Sequence, residues 1–571
     1  MTEPAPATPP ATPAISSPVE STFPTLTPAQ IARVAAHGTV RTLQAGEVLI
    51  EAGQEVLPFF VVTAGHVEIV RPASGVGGVG GIDGTETLVT VHGPGQFTGE
   101  INMLSGRRSL VRARAAEPAE AIELDRESLL ALVQNDAELG EIVMRAFILR
   151  RIELIAHGIG DAVLIGSMHC AGTLRAREFL TRNGHPYTYI DLDHDSGVQE
   201  MLDQFHVGAE DIPVLICRGE VVLRNPTDRQ IADCLGFNAA IDQSQLRDLV
   251  VIGAGPSGLA AAVYGASEGL DVLILESHVP GGQAGSSSRI ENYLGFPMGI
   301  SGQELTARAF TQAQKFGAQL MVAKGAKKLA CARKPYALEI DDGPRVPART
   351  VIIATGAEYR KPALRNLTQL EGAGVYYGAT FMEAQLCGGE EVIVVGGGNS
   401  AGQAAVFLAQ TARRVHMLVR SGGLAETMSR YLIRRIEDSP VIDLRIRTEI
   451  TALEGTGHLE RVTWIDHQTG TASIHDIRHV FIMAGADPST QWLAGCLALD
   501  AKGFIKTGPD LSPDDLAAAE WPLARPPHLL ETSLPGVFAV GDVRSGSIKR
   551  VASAVGEGSI AVSFVHRVLN E

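Results

Sequence analysis

Two stretches of the chain repeat one pattern, in which an apolar run, a glycine-rich turn, a small-residue helix and a second apolar run follow each other. The first is DLVVIGAGPSGLAAAVYGASEGLDVLILE, residues 248–276, whose opening run is Leu249–Ile252 and whose last residue is Glu276. Two short buried strands around a helical stretch predict a βαβ unit with parallel strands. We expect this unit to organise the carboxy-terminal half of the chain.

The turn of this unit has the G-x-G-x-x-G spacing, at Gly253, Gly255 and Gly258. In a dinucleotide fingerprint the first glycine permits a tight turn, the second admits the pyrophosphate, and the third lets helix and strand pack closely. The helix N-terminus then favours the phosphates. Glu276 lies 21 residues after Gly255, about where an acid accepts the ribose hydroxyls of an ADP group.

The second stretch, EVIVVGGGNSAGQAA, carries G-x-G-x-x-A at Gly396, Gly398 and Ala401. Its second strand, VHMLVR, ends on Arg420, 22 residues after Gly398. A cation in place of the acid suits a 2′-phosphate, so this unit is predicted to bind NADP(H) rather than NAD.

The amino-terminal part has a different pattern. Residues 1–23 are rich in Pro, Ala, Thr and Ser, and we expect a disordered tail. Residues 24–158 alternate short apolar runs with glycines, which predicts a small antiparallel barrel or jelly roll with flanking helices. Within FTGEINMLSGRRSLVRARA, Gly99 and Glu100 offer N–H groups and a carboxylate for a sugar hydroxyl, and Arg108 and Ser109 can hold a phosphate.

Residues 161–240 change period again and predict strand, helix, strand, a short helix, a hairpin and a last helix. Cys170 lies at the first strand-to-helix junction, where the field of the helix stabilises a thiolate. Ile212–Pro213 opens a later strand. Cys217, in an apolar strand, and Cys234, on an apolar helix face, are expected to be separate buried thiols.

Composition narrows the class of protein. The 571 residues hold 48 basic and 64 acidic side chains, a formal charge of −16, which disfavours nucleic acid or an anionic membrane as a partner. No apolar stretch is long enough for a transmembrane helix, and no secretory signal is recognisable. The six cysteines form neither C-x-x-C nor a zinc spacing, so no metal site is predicted and a reducing cytoplasm is expected.

Two dinucleotide units, the second inserted into the first, resemble the pyridine nucleotide–disulfide oxidoreductases, and the PGGQ segment after Glu276 resembles the low-molecular-weight thioredoxin reductases in particular. The resemblance implies Rossmann-type α/β domains: an FAD-binding domain in two parts, 246–360 and 488–571, and an NADP(H)-binding domain at 361–487. It implies FAD at Gly253, Gly255, Pro256, Ser257, Gly258, Glu276, Gly282, Gln283, Asn292, Thr355, Gly356, Gly541, Asp542, Arg550, Val551 and Ala552. It implies NADP(H) at Gly396, Gly398, Asn399, Ser400, Ala401 and Arg420.

The first two domains also resemble known families. Gly99, Glu100, Arg108 and Ser109 fall on the phosphate-binding cassette of cyclic nucleotide-binding domains, and residues 161–240 resemble the thioredoxin/glutaredoxin fold. The C-x-x-C of that fold is here Cys170-Ala-Gly-Thr, so an internal disulfide cannot form at this site. Two interpretations remain: a monothiol mechanism through a mixed disulfide at Cys170, or a degenerate fold that serves as a docking or spacer module. The reductase resemblance departs too, because Tyr377 and Thr380 stand about where its two redox cysteines would be.

These patterns predict an FAD-dependent, thioredoxin-reductase-like oxidoreductase that takes hydride from NADPH. Its electrons would pass to a thiol, a disulfide or a redox protein, through Cys170 or directly, and a cyclic nucleotide would regulate it. A ferredoxin- or flavodoxin-type reductase and a non-catalytic FAD and cyclic-nucleotide sensor are the alternatives. Both family resemblances imply a homodimer. The 2′-phosphate cluster of the family is thinned around Arg420, and Arg430 and Arg434 are candidates to complete it.

Overall fold

The structure is a computed structural model that describes residues 21–71, 86–156, 160–193, 211–218, 221–238, 241–331, 334–341, 343, 345–493 and 495–571. Residues 1–20 of the tail expected at 1–23 lie outside these ranges. So does the short helix expected between the second strand and the hairpin of residues 161–240. Two compact units make up the chain, one from 1–72 with 86–157 and the other from 73–85 with 158–571. Along the described ranges, no helix is both long enough and apolar enough to cross a membrane.

The amino-terminal unit contains two antiparallel sheets, with strand orders β1-β7-β3 and β2-β6-β4-β5. The rings of Phe59, Phe97 and Phe147 fill its core at centroid separations of 5.5–6.4 Å. Its helices are α1 (Pro28–Ala35), α2 (Asn102–Ser105), α3 (Arg126–Asn135) and α4 (Ala137–Ala156). Its strands are β1 (Thr39–Leu43), β2 (Val48–Ile50), β3 (Phe59–Ala64), β4 (Val67–Arg71), β5 (Thr87–His92), β6 (Arg112–Ala115) and β7 (Ala119–Leu124).

The expected end of the tail at residue 23 is too late by at least two residues. Thr22 is buried, and its carbonyl accepts a hydrogen bond of 2.9 Å from Nε of Arg150. The Arg150 guanidinium also lies 5.1 Å from the centroid of the Phe23 ring. A cation over an aromatic face is a favourable contact, and it anchors a segment whose composition resembles the tail.

The second unit begins with a four-stranded sheet, which we call the thiol module. Its elements are β8 (Ala162–Gly166), α5 (Ala171–Arg182), β9 (Tyr187–Asp191), β10 (Val214–Cys217), β11 (Val221–Arg224) and α6 (Asp228–Cys234). Strand β8 lies between β9, which is parallel to it, and β10, which is antiparallel, and β11 forms the other edge. The Ile212–Pro213 bond is cis.

The prediction of separate thiols at Cys217 and Cys234 is wrong. The two residues form a disulfide with a Cα–Cα separation of 6.6 Å, because the helix that ends at Cys234 packs over the strand that ends at Cys217. A second disulfide joins Cys331 and Cys496, 165 residues apart, at a Cα–Cα separation of 6.0 Å. Neither disulfide can be predicted from the spacing of its cysteines, because tertiary packing brings the two residues together.

The first fingerprint opens a mixed sheet with the order β14-β13-β12-β17-β16-β15. We call this sheet, its helices and its later return the first fingerprint domain. Its opening elements are β12 (Arg247–Ile252), α7 (Pro256–Ser267), β13 (Val272–Leu275), α8 (Gly282–Gly285), α9 (Gly302–Lys315), β14 (Gln319–Met321), β15 (Ala326–Ala330), β16 (Tyr336–Ile340) and β17 (Arg345–Ile353). Residues 249–252 are buried because the strand lies in the middle of the sheet with elements on both faces.

The chain leaves this domain through β18 (Ala357–Glu358) and returns through β27 (Asp487–Pro488), and these two short strands pair antiparallel. Between them lies the second fingerprint domain, a parallel sheet of order β19-β26-β20-β21-β22 with a three-stranded antiparallel sheet, β23-β24-β25. Its helices are α10 (Leu367–Leu370), α11 (Phe381–Leu386), α12 (Asn399–Leu408) and α13 (Arg430–Glu437). Its strands are β19 (Val375–Tyr376), β20 (Glu391–Val395), β21 (Arg414–Val419), β22 (Ile442–Ile446), β23 (Thr448–Glu454), β24 (Arg461–Asp466), β25 (Thr471–His475) and β26 (His479–Ile482).

The last segment completes the first fingerprint domain with α14 (Pro513–Ala518), β28 (Val537–Ala539) and α15 (Val551–Leu569). Strand β28 pairs parallel with β17. Helix α15 packs against α7 so closely that a Cβ on Gly558 would lie 2.2 Å from the carbonyl oxygen of Ser257. The two distant parts of the chain therefore form one domain with a continuous core.

Candidate functional site

The first fingerprint domain gathers its predicted site residues at one edge of its sheet. Ile252 of β12 is in register with Leu275 of β13 and with Ile353 of β17, and Ile353 is in register with Ala539 of β28. All four strands are parallel, so the segments that follow them emerge at the same edge. These segments contain Gly253–Gly258, Glu276, Thr355 and Gly356, and Gly541 and Asp542.

The fingerprint glycines have two different surroundings. Gly253 has φ +101°, and a Cβ there would lie 2.4 Å from the carbonyl oxygen of Ala354, while a Cβ on Gly258 would lie 1.9 Å from that of Gly253. These two glycines are needed for close packing. Gly255 differs, because the nearest atom to its missing Cβ is Cα of Gly282, at 4.0 Å. The space above Gly255 is open, as a pyrophosphate requires.

Two carboxylates lie at this edge of the sheet, Glu276 after β13 and Asp542 after β28. Glu276 is buried, with its oxygens accepting from the N–H groups of Ala254 at 2.7 Å and His278 at 2.9 Å. Those bonds leave further lone pairs for ribose hydroxyls. Burial raises the pKa of Asp542, whose oxygens accept no hydrogen bond from any described residue. A half-buried acceptor without a donor fits the hydroxyls of a ribityl chain, so these residues suit FAD.

The remaining predicted FAD residues differ in their surroundings. Thr355 donates through its hydroxyl to the carbonyl of Ser489 at 3.0 Å, and the Gln283 amide donates to the carbonyl of Ala357. Arg550 is the N-cap of α15, which places Val551 and Ala552 in its first turn. Asn292 is exposed and forms no hydrogen bond with the fingerprint segment among the described residues.

The second fingerprint domain has the corresponding edge. Val395 of β20 is in register with Leu418 of β21 and Ile482 of β26, all parallel, so Gly396–Ala401 and Arg420 emerge together. Apart from its chain neighbours, no described residue lies within 4 Å of a Cβ built on Gly398, which again leaves space for a pyrophosphate. Asn399 accepts from the N–H of Ser429 at 2.8 Å and so fixes the turn.

A cleft lies between the two fingerprint domains. One wall comes from the segment after the first fingerprint and another from the second fingerprint, and the residues are Gln283, Ser286, Ser287, Ser288, Tyr359, Tyr377, Gly378, Ala379, Ser400, Gln403, Ala404 and Met483. Ser287 and Ala379 form an isolated parallel bridge across it. Burial raises the pKa of Tyr359, and a hydrogen bond with Ser400 opposes that rise.

Residues 377–380, where the reductase resemblance would place two redox cysteines, have a structural role. The Tyr377 hydroxyl donates to Glu371 at 2.8 Å, and Glu371 pairs with Lys361 at 2.8 Å. Thr380 caps α11 and forms a capping box with Glu383. No sulfhydryl group from this segment reaches the cleft.

Two of the described cysteines are free. Cys387 is buried, donates to the carbonyl of Glu383 at 3.2 Å, and has its pKa raised to about 11 by burial, so it stays a neutral thiol. Cys170 is only partly buried and is the N-cap of α5. Its Sγ lies 3.9 Å from the carbonyl oxygen of Ile212, beside the cis proline.

Helix α5 contacts both fingerprint domains. A Cβ on Gly372 would lie 2.7 Å from that of Ala171, and Leu174 belongs to the apolar cluster that contains Tyr376 and Ala379. At its other end, Arg182 donates through Nη2 to the carbonyls of Pro280 at 3.1 Å and Gly282 at 2.8 Å. Sequence reasoning missed Arg182, and no local signal marks it, because its partners lie about a hundred residues away.

In the amino-terminal unit, the predicted cassette residues all have partners within the domain. Glu100 pairs with Arg151 of α4 at 3.3 Å, and Arg108 pairs with Glu55 at 2.7 Å. The Ser109 hydroxyl donates to the carbonyl of Val111 at 2.7 Å. Burial raises the pKa of Glu100.

Arg107 and Arg150 were also not predicted from the sequence as site residues. Arg107 is buried beside Glu100 and Arg151, and its pKa is lowered to about 9, chiefly by burial. Arg150 donates through Nη1 to the carbonyls of Phe97 at 3.1 Å and Gly99 at 2.8 Å. Helix α4 therefore holds the main chain of the cassette through Arg150 and its carboxylate through Arg151.

Comparison with known proteins agrees with this geometry. The family model of pyridine nucleotide-disulphide oxidoreductases matches residues 247–558, and that of cyclic nucleotide-binding domains matches 40–136. Thioredoxin reductase of Bacillus subtilis is 33% identical over 331 residues, covering 58% of this chain and 97% of the relative. NADPH-dependent thioredoxin reductase 3 of Arabidopsis thaliana is 29% identical, covering 62% of this chain and 65% of the relative.

Among solved structures, thioredoxin reductase of Lactococcus lactis matches with a TM-score of 0.51 and 27% identity, covering 57% of this chain and all of that one. The expectation of a multidomain, FAD- and NADPH-dependent oxidoreductase with a β-rich cyclic nucleotide-binding domain is thereby confirmed. The chain belongs to the pyridine nucleotide-disulphide oxidoreductase family.

Proposed function

We propose that this flavoprotein passes electrons from NADPH to a disulfide substrate through Cys170. The observation that carries the proposal is the position of α5. The helix begins at the free Cys170, and its next residues pack on Gly372 and on the cluster with Tyr376 and Ala379. Ala379 also lines the cleft between the fingerprint domains. The thiol module thus packs beside residues 377–380, where the reductase resemblance implies a redox cysteine pair.

Bound FAD supplies a two-electron carrier between a nicotinamide and a disulfide. The proposed FAD ligands are the glycines 253, 255 and 258, with Glu276 and Asp542, and the proposed NADP(H) ligands are residues 396–401 with Arg420. Cys170 would attack a disulfide RS–SR as its thiolate, forming Cys170–S–SR and releasing RS⁻. Two electrons and two protons then restore the Cys170 thiol and release the second RSH.

The experiment is an anaerobic titration of the purified protein with NADPH and with NADH, following the visible absorption of the flavin, paired with turnover on small disulfides. Replacement Cys170→Ser should leave bleaching intact and remove disulfide turnover. Cys387→Ser is the matched control, because Cys387 is the other free cysteine and is buried. Disulfide turnover unchanged in Cys170→Ser would overturn the proposal.

Other outcomes would favour the other functions. Rapid bleaching with electron transfer to a ferredoxin or flavodoxin, independent of Cys170, would identify a reductase of that type. Absence of bleaching by either nucleotide would leave a non-catalytic sensor. Thioredoxin itself should be a poor substrate, because the chain contains no C-x-x-C to exchange with it.

We also propose the domain boundaries of the sequence analysis, with a thioredoxin-like domain at 161–240. Their support is that each proposed domain has its own sheet and that the two compact units divide after residue 157. The strand order β11-β10-β8-β9, with β8 and β9 parallel, supports the thioredoxin-like assignment.

A homodimer and a cytoplasmic location complete the proposal. For the homodimer, the support is the exposed apolar stripe of Ile148, Ile152 and Ile155 along α4, whose spacing forms one helix face. For the cytoplasmic location, the support is the use of NADPH, which cells hold in the cytoplasm. The two disulfides weigh against it, because reducing compartments disfavour them.

A cyclic nucleotide is the proposed regulator, with Gly99, Glu100, Arg108 and Ser109 as its ligands. The support is the family match over 40–136 and the linkage of the cassette to α4 through Arg150 and Arg151. A ligand that displaced Arg151 from Glu100 would free the end of a 20-residue helix.

A further inference from the structure

Two arginines follow neighbouring strands of the second fingerprint domain at the same point. Strands β21 and β22 are parallel, and Val419 is in register with Ile446. Arg420 follows Val419 after β21, and Arg447 follows Ile446 after β22. The two arginines therefore leave the sheet side by side at the edge where the second fingerprint lies.

The backbone of Arg447 is fixed to the loop after β21. Its N–H donates to the carbonyl of Ser421 at 3.1 Å, and its own carbonyl accepts from the N–H of His467 at 2.9 Å. Arg447 has φ +50°, a left-handed conformation that is uncommon for a residue with a side chain. Its guanidinium passes over Gly422, with Nε 3.8 Å and Nη2 3.9 Å from a Cβ built there.

The charges of these two arginines are not neutralised by described side chains. Arg420 and Arg447 are both exposed, and neither forms an ion pair with a residue in the described ranges. Other arginines of the same domain do, such as Arg445 with Asp443 at 2.7 Å and Arg413 with Glu391 at 3.3 Å. Two adjacent cations on a chain of formal charge −16 form a local site for an anion.

We propose that Arg447 and Arg420 together bind the 2′-phosphate of NADP(H), which makes Arg447 a specificity-determining residue. The inference rests on the NADP(H) site at the second fingerprint. An arginine fork matches the oxygens of a phosphate monoester, and two forks satisfy a dianion. Arg447 thereby replaces the second cation that the sequence around Arg420 lacks, a role for which the sequence suggested only Arg430 and Arg434.

Calorimetry on the FAD-loaded protein tests this with two probes, adenosine 2′,5′-bisphosphate and adenosine 5′-monophosphate. Arg447→Gln should weaken the bisphosphate roughly tenfold or more, because a hydrogen bond to a charged group is lost. The monophosphate should change by less than about twofold, since it lacks the group that Arg447 contacts. Arg447→Lys keeps the charge but lacks the guanidinium fork. Its affinity for the bisphosphate should therefore lie between those of the wild type and Arg447→Gln. Arg461→Gln is the matched control in the same domain, because Arg461 pairs with Glu454 at 2.8 Å. Arg434→Gln and Arg430→Gln test the two rival residues.

Three results would overturn the inference. Arg447→Gln could bind the bisphosphate as tightly as the wild type, or it could weaken both probes equally, which would show that Arg447 does not recognise the 2′-phosphate. Arg434→Gln or Arg430→Gln could cause the larger loss instead. Dependence of disulfide turnover on Cys170, measured at saturating NADPH, is unaffected by these results, so the proposed function fails or stands separately.

Discussion

At the scale of single residues, the open glycines of the two fingerprints make reciprocal tests possible. Gly255 and Gly398 both have extended backbones, with φ −71° and −93°, which any residue adopts. Apart from chain neighbours, no atom of the described residues lies closer than 4.0 Å to a Cβ built on either glycine. A variant with valine at either position should therefore fold. The valine side chain should occupy the space that a pyrophosphate needs.

We expect Gly255→Val to purify without flavin, because its side chain blocks the first site. Gly398→Val should retain FAD but no longer be bleached by NADPH. The measurements are the flavin content after desalting and the anaerobic titration, and each variant is the control for the other. Full FAD occupancy in Gly255→Val would disprove the assignment of the first fingerprint.

Residues whose role depends on local spacing could be predicted from the sequence. Gly253, Gly258 and Glu276 have the surroundings that the fingerprint requires, and all three could be placed from a few neighbouring letters. Arg150 and Arg182 could not, since each hydrogen-bonds to a distant segment. Arg447 could not either, since the pairing of β21 with β22 brings it next to the loop at Gly422. The same holds for the pairing of Cys331 with Cys496 across 165 residues, which no local pattern contains.

At the scale of secondary structure elements, α5 is the one that joins the thiol module to both fingerprint domains. Its amino end packs on the second domain, and Arg182 at its carboxyl end is bonded to the loop carbonyls of Pro280 and Gly282. That loop lies over the first fingerprint, since Cα of Gly282 is the atom nearest to the missing Cβ of Gly255. The helix thus helps to hold in place the loop beside the proposed flavin site.

Replacement Arg182→Met should weaken FAD binding roughly tenfold or more, because two main-chain carbonyls lose a charged donor. Arg175→Met is the matched control on the same helix, since Arg175 pairs with Asp228 inside the thiol module. Fluorescence titration of the flavin-free proteins with FAD gives both affinities. If Arg182→Met bound FAD as tightly as the control, α5 would have no role in the flavin site.

Element types were easier to predict than their contacts. The strands around both fingerprints, the jelly-roll strands and the helix after Cys170 follow from hydrophobic period and glycine placement. The tail boundary was wrong because Phe23 is held by Arg150, a cation more than a hundred residues away. Packing of α5 on two domains could not be predicted either, since its apolar residues show only that some face is buried.

At the scale of the whole molecule, the cassette of the amino-terminal unit has its charges paired in a way that a ligand must exchange. Arg108 is bonded to Glu55, whose side chain is 48% exposed, and Glu100 is bonded to Arg151. A cyclic phosphate would replace Glu55 at Arg108, and a ribose hydroxyl would compete with Arg151 for Glu100. Regulation follows only if the ligand has different affinities for two arrangements of the protein.

Calorimetry with cAMP and cGMP, paired with rates of flavin reduction by NADPH, tests this coupling. Arg108→Ala should weaken binding roughly tenfold or more and remove any change in rate. Glu55→Gln should strengthen binding by at most about fivefold, because an exposed ion pair contributes under about 1 kcal/mol. Glu117→Gln is the control, because Glu117 forms a separate, exposed pair with His66. Binding without a change in rate would show that the domain does not regulate the flavin, and no heat with either nucleotide would leave it a scaffold.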